Sequence, residues 1–146
     1  MKRSSVVNSV ALVKFKSSVS KALQEGLEHI GGFGVLDSPV LIKPNLCTIS
    51  DNTGYSVTRV EVVKALIELL LHTDEDLSIK IVESDSQSKF AEEAFEKFGY
   101  KQLCDDMKDS GFDVKTVDLS KDPLMKLRFV GDYFENPELP ETVLKV

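Results

Sequence analysis

The sequence predicts an α/β fold: a three-layer, mostly parallel sheet of about four core strands with flanking helices. Short apolar runs rich in β-branched residues alternate along the chain with longer segments of helical spacing. Alternation at these lengths favours parallel strands joined by right-handed βαβ crossovers. With 146 residues, 42% hydrophobic and 29% charged, the chain can build the core of a single α/β domain over residues 1–146.

The predicted elements follow one another in the order strand, helix, strand, helix, strand, helix, strand. The strands are predicted near residues 8–15, 39–43, 77–83 and 113–119. The helices are predicted over residues 17–30, 58–72, 90–98 and 101–110, where apolar residues recur at spacings of three and four. Ser17 or Ser18 can cap the first helix, and the glycines that begin at Gly31 can end it.

Local signals mark the start of the second helix and the last part of the chain. Thr58 and Glu61 have the spacing of a capping box, with Thr58 as the N-cap residue. Residues 127–130 are a candidate short strand. Thr142-Val143-Leu144-Lys145-Val146 has the pattern of a strand that is cut off as it starts, so we expect it to be poorly anchored.

Polar residues follow the second predicted strand directly. Pro44 cannot donate to a sheet ladder, so the apolar run before Lys43 should end there. Open α/β sheets bind ligands at the carboxyl ends of their strands. Together, four residues predict an anion or carboxylate site that ends at a helix amino terminus. They are Lys43, Asn45, Ser56 and Thr58.

The same residues also have a structural interpretation. Lys43 would then pair with Glu83 or Asp85 at the end of the neighbouring strand, and Asn45 would only tie down the loop, since asparagine is a common turn residue. Both alternatives remain open from the sequence.

Glu83 and Asp85 are the second set of candidate ligand-binding residues. In a parallel sheet they should share an edge with Lys43 and Asn45. Carboxylates facing a lysine can bind a divalent cation or act as acid and base. Alternatively, Asp85, Ser86 or Ser88 caps the third helix. The sequence identifies no catalytic residue and no set of metal ligands, so it does not decide whether the protein is an enzyme.

Composition argues against several partners. The net charge of −6 disfavours a nucleic-acid or anionic-membrane surface, and no apolar run approaches the ~20 residues of a membrane helix. Cys47 and Cys104 make neither a disulfide framework nor a Cys-x-x-Cys clip. A reducing cytoplasm is the localisation that these features predict.

Six stretches of the chain occur in the order found in a known family. They are Val40-Leu41-Ile42-Lys43-Pro44-Asn45-Leu46 and residues 54–59, 61–67, 83–86, 93–100 and 117–119. Together they resemble a prokaryotic group called domain of unknown function family 362, whose members are often described as iron–sulfur centre proteins. The resemblance implies an α/β domain in a redox setting, and it implies that this chain corresponds to the amino-terminal part of longer members.

Many members of that family carry ferredoxin-type cysteine motifs that bind four-iron clusters, and this chain has none. We therefore expect no cofactor on this chain alone, and a four-iron cluster only on a partner or on a missing segment. One function class is a small-molecule enzyme or binding domain that uses the loop after Lys43. The other is a non-catalytic interaction domain that docks an iron–sulfur or ferredoxin-like partner. Self-association is also expected, through apolar surface near the chain end.

Overall fold

The computed structural model describes residues 9–84, 91–127, 133 and 136–146. Helices and strands alternate through most of these residues. Their order is α1 (Val19–Ile30), β1 (Val40–Ile42), α2 (Val60–Thr73), β2 (Ile79–Glu83), α3 (Ala91–Lys97), α4 (Tyr100–Asp109), β3 (Val114–Asp118), β4 (Leu124–Lys126), β5 (Glu138–Pro140) and α5 (Glu141–Leu144).

The main sheet has three parallel strands in the order β1-β2-β3. Ile79 of β2 lies beside Val40 of β1 on one side and beside Val114 of β3 on the other. Helix α2 connects β1 to β2, and α3 with α4 connects β2 to β3. This arrangement confirms the predicted α/β class with a parallel sheet, although the sheet has three strands among the described residues and not about four.

The hydrophobic core lies between one face of this sheet and the helices α2, α3 and α4. The sheet contributes Ile79 and Ile81, which are fully buried, and the helices contribute Ile67, Phe95 and Tyr100. The rings of Phe95 and Tyr100 meet edge to face, with centroids 6.3 Å apart. The opposite face carries Lys80 and Lys115, which lie side by side on β2 and β3, and also Val82 of β2, which is buried.

Helix α1 packs against α2 and begins and ends as its sequence predicts. The Ser18 hydroxyl accepts a hydrogen bond from the Lys21 backbone N–H at 3.4 Å. Gly31 ends the helix in the left-handed region, at φ 95°, where a side chain would be strained.

The first predicted strand is wrong over the described residues 9–15, which belong to neither sheet. Val10 and Leu12 are 94% and 98% exposed, and Val13 packs close to Gly26 of α1. Alternation describes which side chains share a side of an extended chain, but a strand also needs a neighbour that pairs with its backbone. No such neighbour lies beside these residues in the described part of the chain. Residue 8 lies outside the described part of the chain.

The predicted capping box at the second helix is also wrong. Arg59, and not Thr58, is the N-cap residue of α2, and it makes no side-chain cap hydrogen bond. The Thr58 hydroxyl is already used, because it accepts a hydrogen bond from the Asn45 backbone N–H at 2.9 Å. The Glu61 carboxylate oxygen Oε2 lies 3.6 Å from the Arg59 Nε.

The last residues form a helix where a strand was predicted. Strands β4 and β5 pair antiparallel, and α5 (Glu141–Leu144) follows at once. Thr142 is buried, and its backbone N–H donates to Asp122 Oδ2 at 2.6 Å. That bond and one from the Glu141 N–H to the Pro123 carbonyl anchor the turn, so the prediction of a poorly anchored strand is wrong. Of the candidate strand at 127–130, residues 128–130 lie outside the described residues.

Candidate functional site

Lys43 and Glu83 form an ion pair at the carboxyl edge of the parallel sheet. Lys43 follows β1, and Glu83 is the last residue of β2. The Lys43 Nζ lies 3.0 Å from both Glu83 carboxylate oxygens and 3.2 Å from the Pro44 carbonyl oxygen. The lysine side chain is 56% exposed, whereas the glutamate side chain is 7% exposed. A buried carboxylate thus holds a lysine whose side chain is more than half exposed.

Glu83 also fixes the backbone around it. Its Oε2 accepts a hydrogen bond from the Leu46 N–H at 3.2 Å, and its Oε1 accepts one from the Ser84 N–H at 3.0 Å. A buried carboxylate needs such partners, because leaving it unpaired away from water is costly. Glu83 therefore joins the start of the loop after β1 to the end of β2.

Asn45 ties together the two ends of this loop. Its side-chain Nδ2 donates to the Ser56 carbonyl at 2.9 Å. Its backbone N–H donates to the Thr58 hydroxyl, and its carbonyl accepts from the Thr58 N–H at 2.8 Å. The buried Tyr100 hydroxyl of α4 donates to the Thr58 carbonyl at 2.8 Å, and burial raises the pKa of Tyr100 above its ordinary value. The far end of the loop is thereby fixed to the helical layer.

Asp51 organises the middle of the loop. Its Oδ1 accepts hydrogen bonds from the Thr53 N–H, the Thr53 hydroxyl and the Gly54 N–H. Its Oδ2 accepts from the N–H and the hydroxyl of Ser56, at 2.8 and 2.6 Å. The hydroxyls of Ser56 and Thr53, followed by their backbone N–H groups, hold the pKa of Asp51 well below its ordinary value. An Asp-x-Thr-Gly stretch is typical of an Asx turn, so the sequence contained a signal for this role that we did not use.

Lys97, near the end of α3, holds the same loop from the helical side. Its ammonium group donates to the Ile49 carbonyl and to Asn52 Oδ1, the latter at 3.0 Å. It also lies 5.7 Å from the centre of the Phe98 ring. No local pattern links Lys97 to a loop 45 residues earlier, so sequence reasoning had no signal for this contact.

Asp118 continues the charged row at the carboxyl edge. It lies beside Glu83 in the parallel register of β2 and β3. Its carboxylate accepts hydrogen bonds from Ser120 and lies 3.1 Å from the Lys121 Nζ. Burial raises the pKa of Asp118, but the Ser120 hydrogen bonds and the Lys121 ammonium group outweigh burial and hold it below its ordinary value. Two neighbouring carboxylates are thus flanked by a lysine at each end.

The structure brings together five of the six predicted ligand-binding residues. Lys43 pairs with Glu83, while Asn45, Ser56 and Thr58 bond to one another through the loop. The sixth, Asp85, lies outside the described residues. The structural alternative from the sequence analysis is therefore present for both Lys43 and Asn45, since each makes the contact that it proposed. Within the described ranges, no group of three or more histidine, cysteine, aspartate or glutamate side chains is arranged to hold a metal ion.

The two cysteines have opposite surroundings. Cys47 lies in the loop, is exposed, and has its Sγ 3.4 Å from the Ser56 carbonyl oxygen. Cys104 lies in α4 and is buried, and burial raises the pKa of its thiol to about 11. The core thiol is therefore a packing group, while the loop thiol is open to solvent.

The family model of DUF362, a domain of unknown function, matches residues 40–146, which is more than half of the chain. The chain belongs to the DUF362 family. No curated protein and no solved structure matches it significantly. None of the helices in the described part of this DUF362 chain is long and apolar enough to cross a membrane.

The family match begins at the first residue of β1. Within the DUF362 region lie the Lys43–Glu83 pair, the loop organised by Asp51, and the Asp118 carboxylate. Residues 9–16 and α1 precede the match. The charged carboxyl edge is therefore part of the DUF362 domain itself.

Proposed function

We propose that this DUF362 domain binds a small anionic ligand at the carboxyl edge of its sheet. The observation that supports this proposal is the position of Lys43, whose side chain is about half exposed and whose ammonium group is held at the strand end by the buried Glu83. A carboxyl edge is where open α/β sheets bind their ligands.

Lys43 is accessible to a ligand, because its side chain is 56% exposed. An ammonium group carries three N–H donors, and its contacts among the described residues are the two Glu83 carboxylate oxygens and the Pro44 carbonyl oxygen. An anion would therefore compete with these acceptors for the ammonium group. Since Glu83 offsets the positive charge of Lys43, we expect weak binding of a simple anion and tighter binding of a ligand that also reaches hydroxyl or amide groups of the loop.

The experiment compares Lys43→Met with the wild-type chain in calorimetric titrations with inorganic phosphate and with citrate. Methionine keeps the apolar stem and removes the charge. We expect the variant to lose more than tenfold in affinity, which corresponds to about 1.4 kcal/mol. The matched control is Lys64→Met, because Lys64 is similarly exposed and pairs with Glu68 on the surface of α2.

Stability is measured separately from binding. Removing Lys43 also takes away the ion-pair partner of a buried carboxylate, so the variant should be less stable whether or not the site is functional. Titrations are therefore run well below its melting temperature. Equal affinities for the wild-type and Lys43→Met chains would contradict the proposal and leave Lys43 with a structural role.

A second candidate function is a non-catalytic domain that docks an iron–sulfur or ferredoxin-like partner in the cytoplasm. The four-iron cluster would then belong to the partner, because the cysteines of this chain form no cluster motif. The observation that favours docking is the exposure of Val10 and Leu12 beside the basic residues Lys14 and Lys16. Direct titration with an acidic ferredoxin tests this function, and the absence of any interaction at low salt would contradict it.

A further inference from the structure

Residues 9–16 form a segment without assigned secondary structure that lies near α1. Within the part of the chain that the structure describes, this segment makes no hydrogen bond. It belongs to no sheet, and we call it the open segment. No described residue pairs with its backbone N–H and C=O groups, and unpaired backbone groups of this kind can accept another extended chain.

The burial of side chains alternates over residues 10–14 of the open segment. Ala11 and Val13 are partly buried toward α1, whereas Val10 and Leu12 are 94% and 98% exposed. Lys14 continues on the exposed side, because side chains two residues apart share a side of an extended chain. The outward side thus presents two apolar residues followed by positive charge.

The charge of this region is opposite to that of the chain as a whole. Five of the 18 basic residues and none of the 24 acidic residues fall in the first 24 positions, although the net charge is −6. Lys14, Lys16 and Lys21 form no ion pair with any described residue. These three lysines line one cleft together with a single carboxylate, Glu25. The cleft therefore has a positive balance that would attract an acidic partner and orient its approach.

We propose that the open segment accepts a β-strand from an acidic partner protein. The partner strand adds alongside residues 9–16 through backbone hydrogen bonds. Its apolar side chains cover Val10 and Leu12, and its carboxylates pair with Lys14 and Lys16. This inference rests on the second candidate function and names the surface and the partner chemistry that docking would use.

Two other occupants fit the observations less well. An anionic membrane complements the lysines, but lipid chains supply no groups that hydrogen-bond to an open backbone. A second copy of the chain would bring a second segment with the same lysines, and like charges repel one another. A strand that alternates apolar and acidic residues meets both the backbone and the charge requirement.

The test uses the full chain and a fluorescein-labelled peptide of alternating glutamate and valine, titrated by fluorescence anisotropy at low salt. The wild-type chain should bind the peptide, and a lysine–valine peptide should not bind. Lys14→Glu with Lys16→Glu should lose more than tenfold in affinity. The control pair Lys80→Glu with Lys108→Glu makes the same change in net charge at lysines that also lack ion pairs within the described ranges, and it should change affinity less than twofold.

A backbone variant separates strand addition from simple charge attraction. Leu12→Pro removes one N–H donor from the open segment and keeps all the lysines. It should also lose peptide affinity, and its circular dichroism should match the wild type because residue 12 makes no hydrogen bond within the described chain. Full binding by Leu12→Pro would overturn strand addition.

Three further results would each overturn the inference: failure of the glutamate–valine peptide to bind, preferential binding to phosphatidylcholine–phosphatidylglycerol vesicles, or dimerisation through the open segment in light scattering. Acidic ferredoxin that binds the wild type and the Lys14→Glu/Lys16→Glu variant equally would keep the docking function and remove this surface. Lys43→Met should bind the peptide normally, so the two sites are tested independently.

Discussion

Lys43 and Glu83 are 40 residues apart in sequence, yet the Lys43 Nζ contacts both carboxylate oxygens of Glu83 at 3.0 Å. The parallel register of β1 and β2 places Ile42 beside Ile81, so both strands end at the same edge. The pair links the ends of the two strands, since Glu83 also accepts a hydrogen bond from the Leu46 backbone N–H. The edge is therefore built around a carboxylate that is almost fully buried.

A double-mutant cycle should show that Lys43 and Glu83 stabilise the fold jointly. Lys43→Met leaves a buried carboxylate with fewer partners and should lower the free energy of unfolding by about 1–3 kcal/mol. Glu83→Gln should also destabilise, and the double variant should lose less than the two single changes together. Urea denaturation measures all four states.

The surface pair Lys64 and Glu68, at 53% and 49% exposure, is the control for this cycle. Exposed pairs one helical turn apart contribute only about 0.3–0.5 kcal/mol. Coupling between Lys43 and Glu83 no larger than in this control would show that burial of Glu83 adds nothing to the pair.

Asp51→Asn should loosen the loop after β1 and leave the core intact. Asparagine keeps one acceptor oxygen, so the hydrogen bonds to one side of the carboxylate are lost. Amide hydrogen exchange at Thr53, Gly54 and Ser56 should become faster, whereas exchange in β2 should not change. Asp37→Asn is the control, because Asp37 is exposed and lies outside this loop. Unchanged exchange at these three amides would contradict the role of Asp51.

The same loop should respond to acid in a defined direction. The pKa of Asp51 is lowered in the folded state from an ordinary value of 3.8. Its stabilising contribution is therefore complete above pH 3.8 and is lost as the pH falls toward the folded-state pKa. Carboxyl carbon shifts of Asp51 in an NMR titration should follow this course. Titration of Asp51 near its ordinary value would contradict the hydrogen-bond geometry.

Lys97→Met should release the loop from α3. Lys97 donates to the Ile49 carbonyl and to Asn52 Oδ1, and methionine has no donor. We expect faster exchange of the amides at positions 49–53 with a small change in melting temperature. Lys108→Met, on the neighbouring helix α4, should have no effect on these amides, and an equal effect of both variants would contradict this prediction.

The two thiols should react at very different rates. Cys47 is exposed, whereas Cys104 is buried and its pKa is raised to about 11, so little of it is thiolate at neutral pH. A thiol reagent should modify one cysteine rapidly in the folded protein and both cysteines in denaturant. Peptide mapping should place the fast reaction at Cys47, and rapid modification of Cys104 would contradict its burial.

Local pattern predicted most of the fold. The spacing of apolar residues predicted α1, α2 and the three parallel strands, because helices and buried strands have periods that a short window of sequence reveals. The motif around Lys43 also placed the site at the carboxyl edge of β1, since strand direction follows from the alternation of strands with helices. Glu83 was a candidate for the same reason.

Tertiary structure decided which residues contact one another. Residues 9–15 have the pattern of a strand, yet no described strand pairs with them. Thr58 has the sequence context of a helix cap, yet its hydroxyl accepts a hydrogen bond from the Asn45 backbone N–H instead. A pattern shows which way a side chain faces but not which group meets it, and several partners are available to each polar atom. The sequence by itself therefore determined α1, α2 and the three parallel strands, and the edge where the candidate site lies. Only the packing of distant segments decided that Glu83 holds Lys43 and that Lys97 holds the loop.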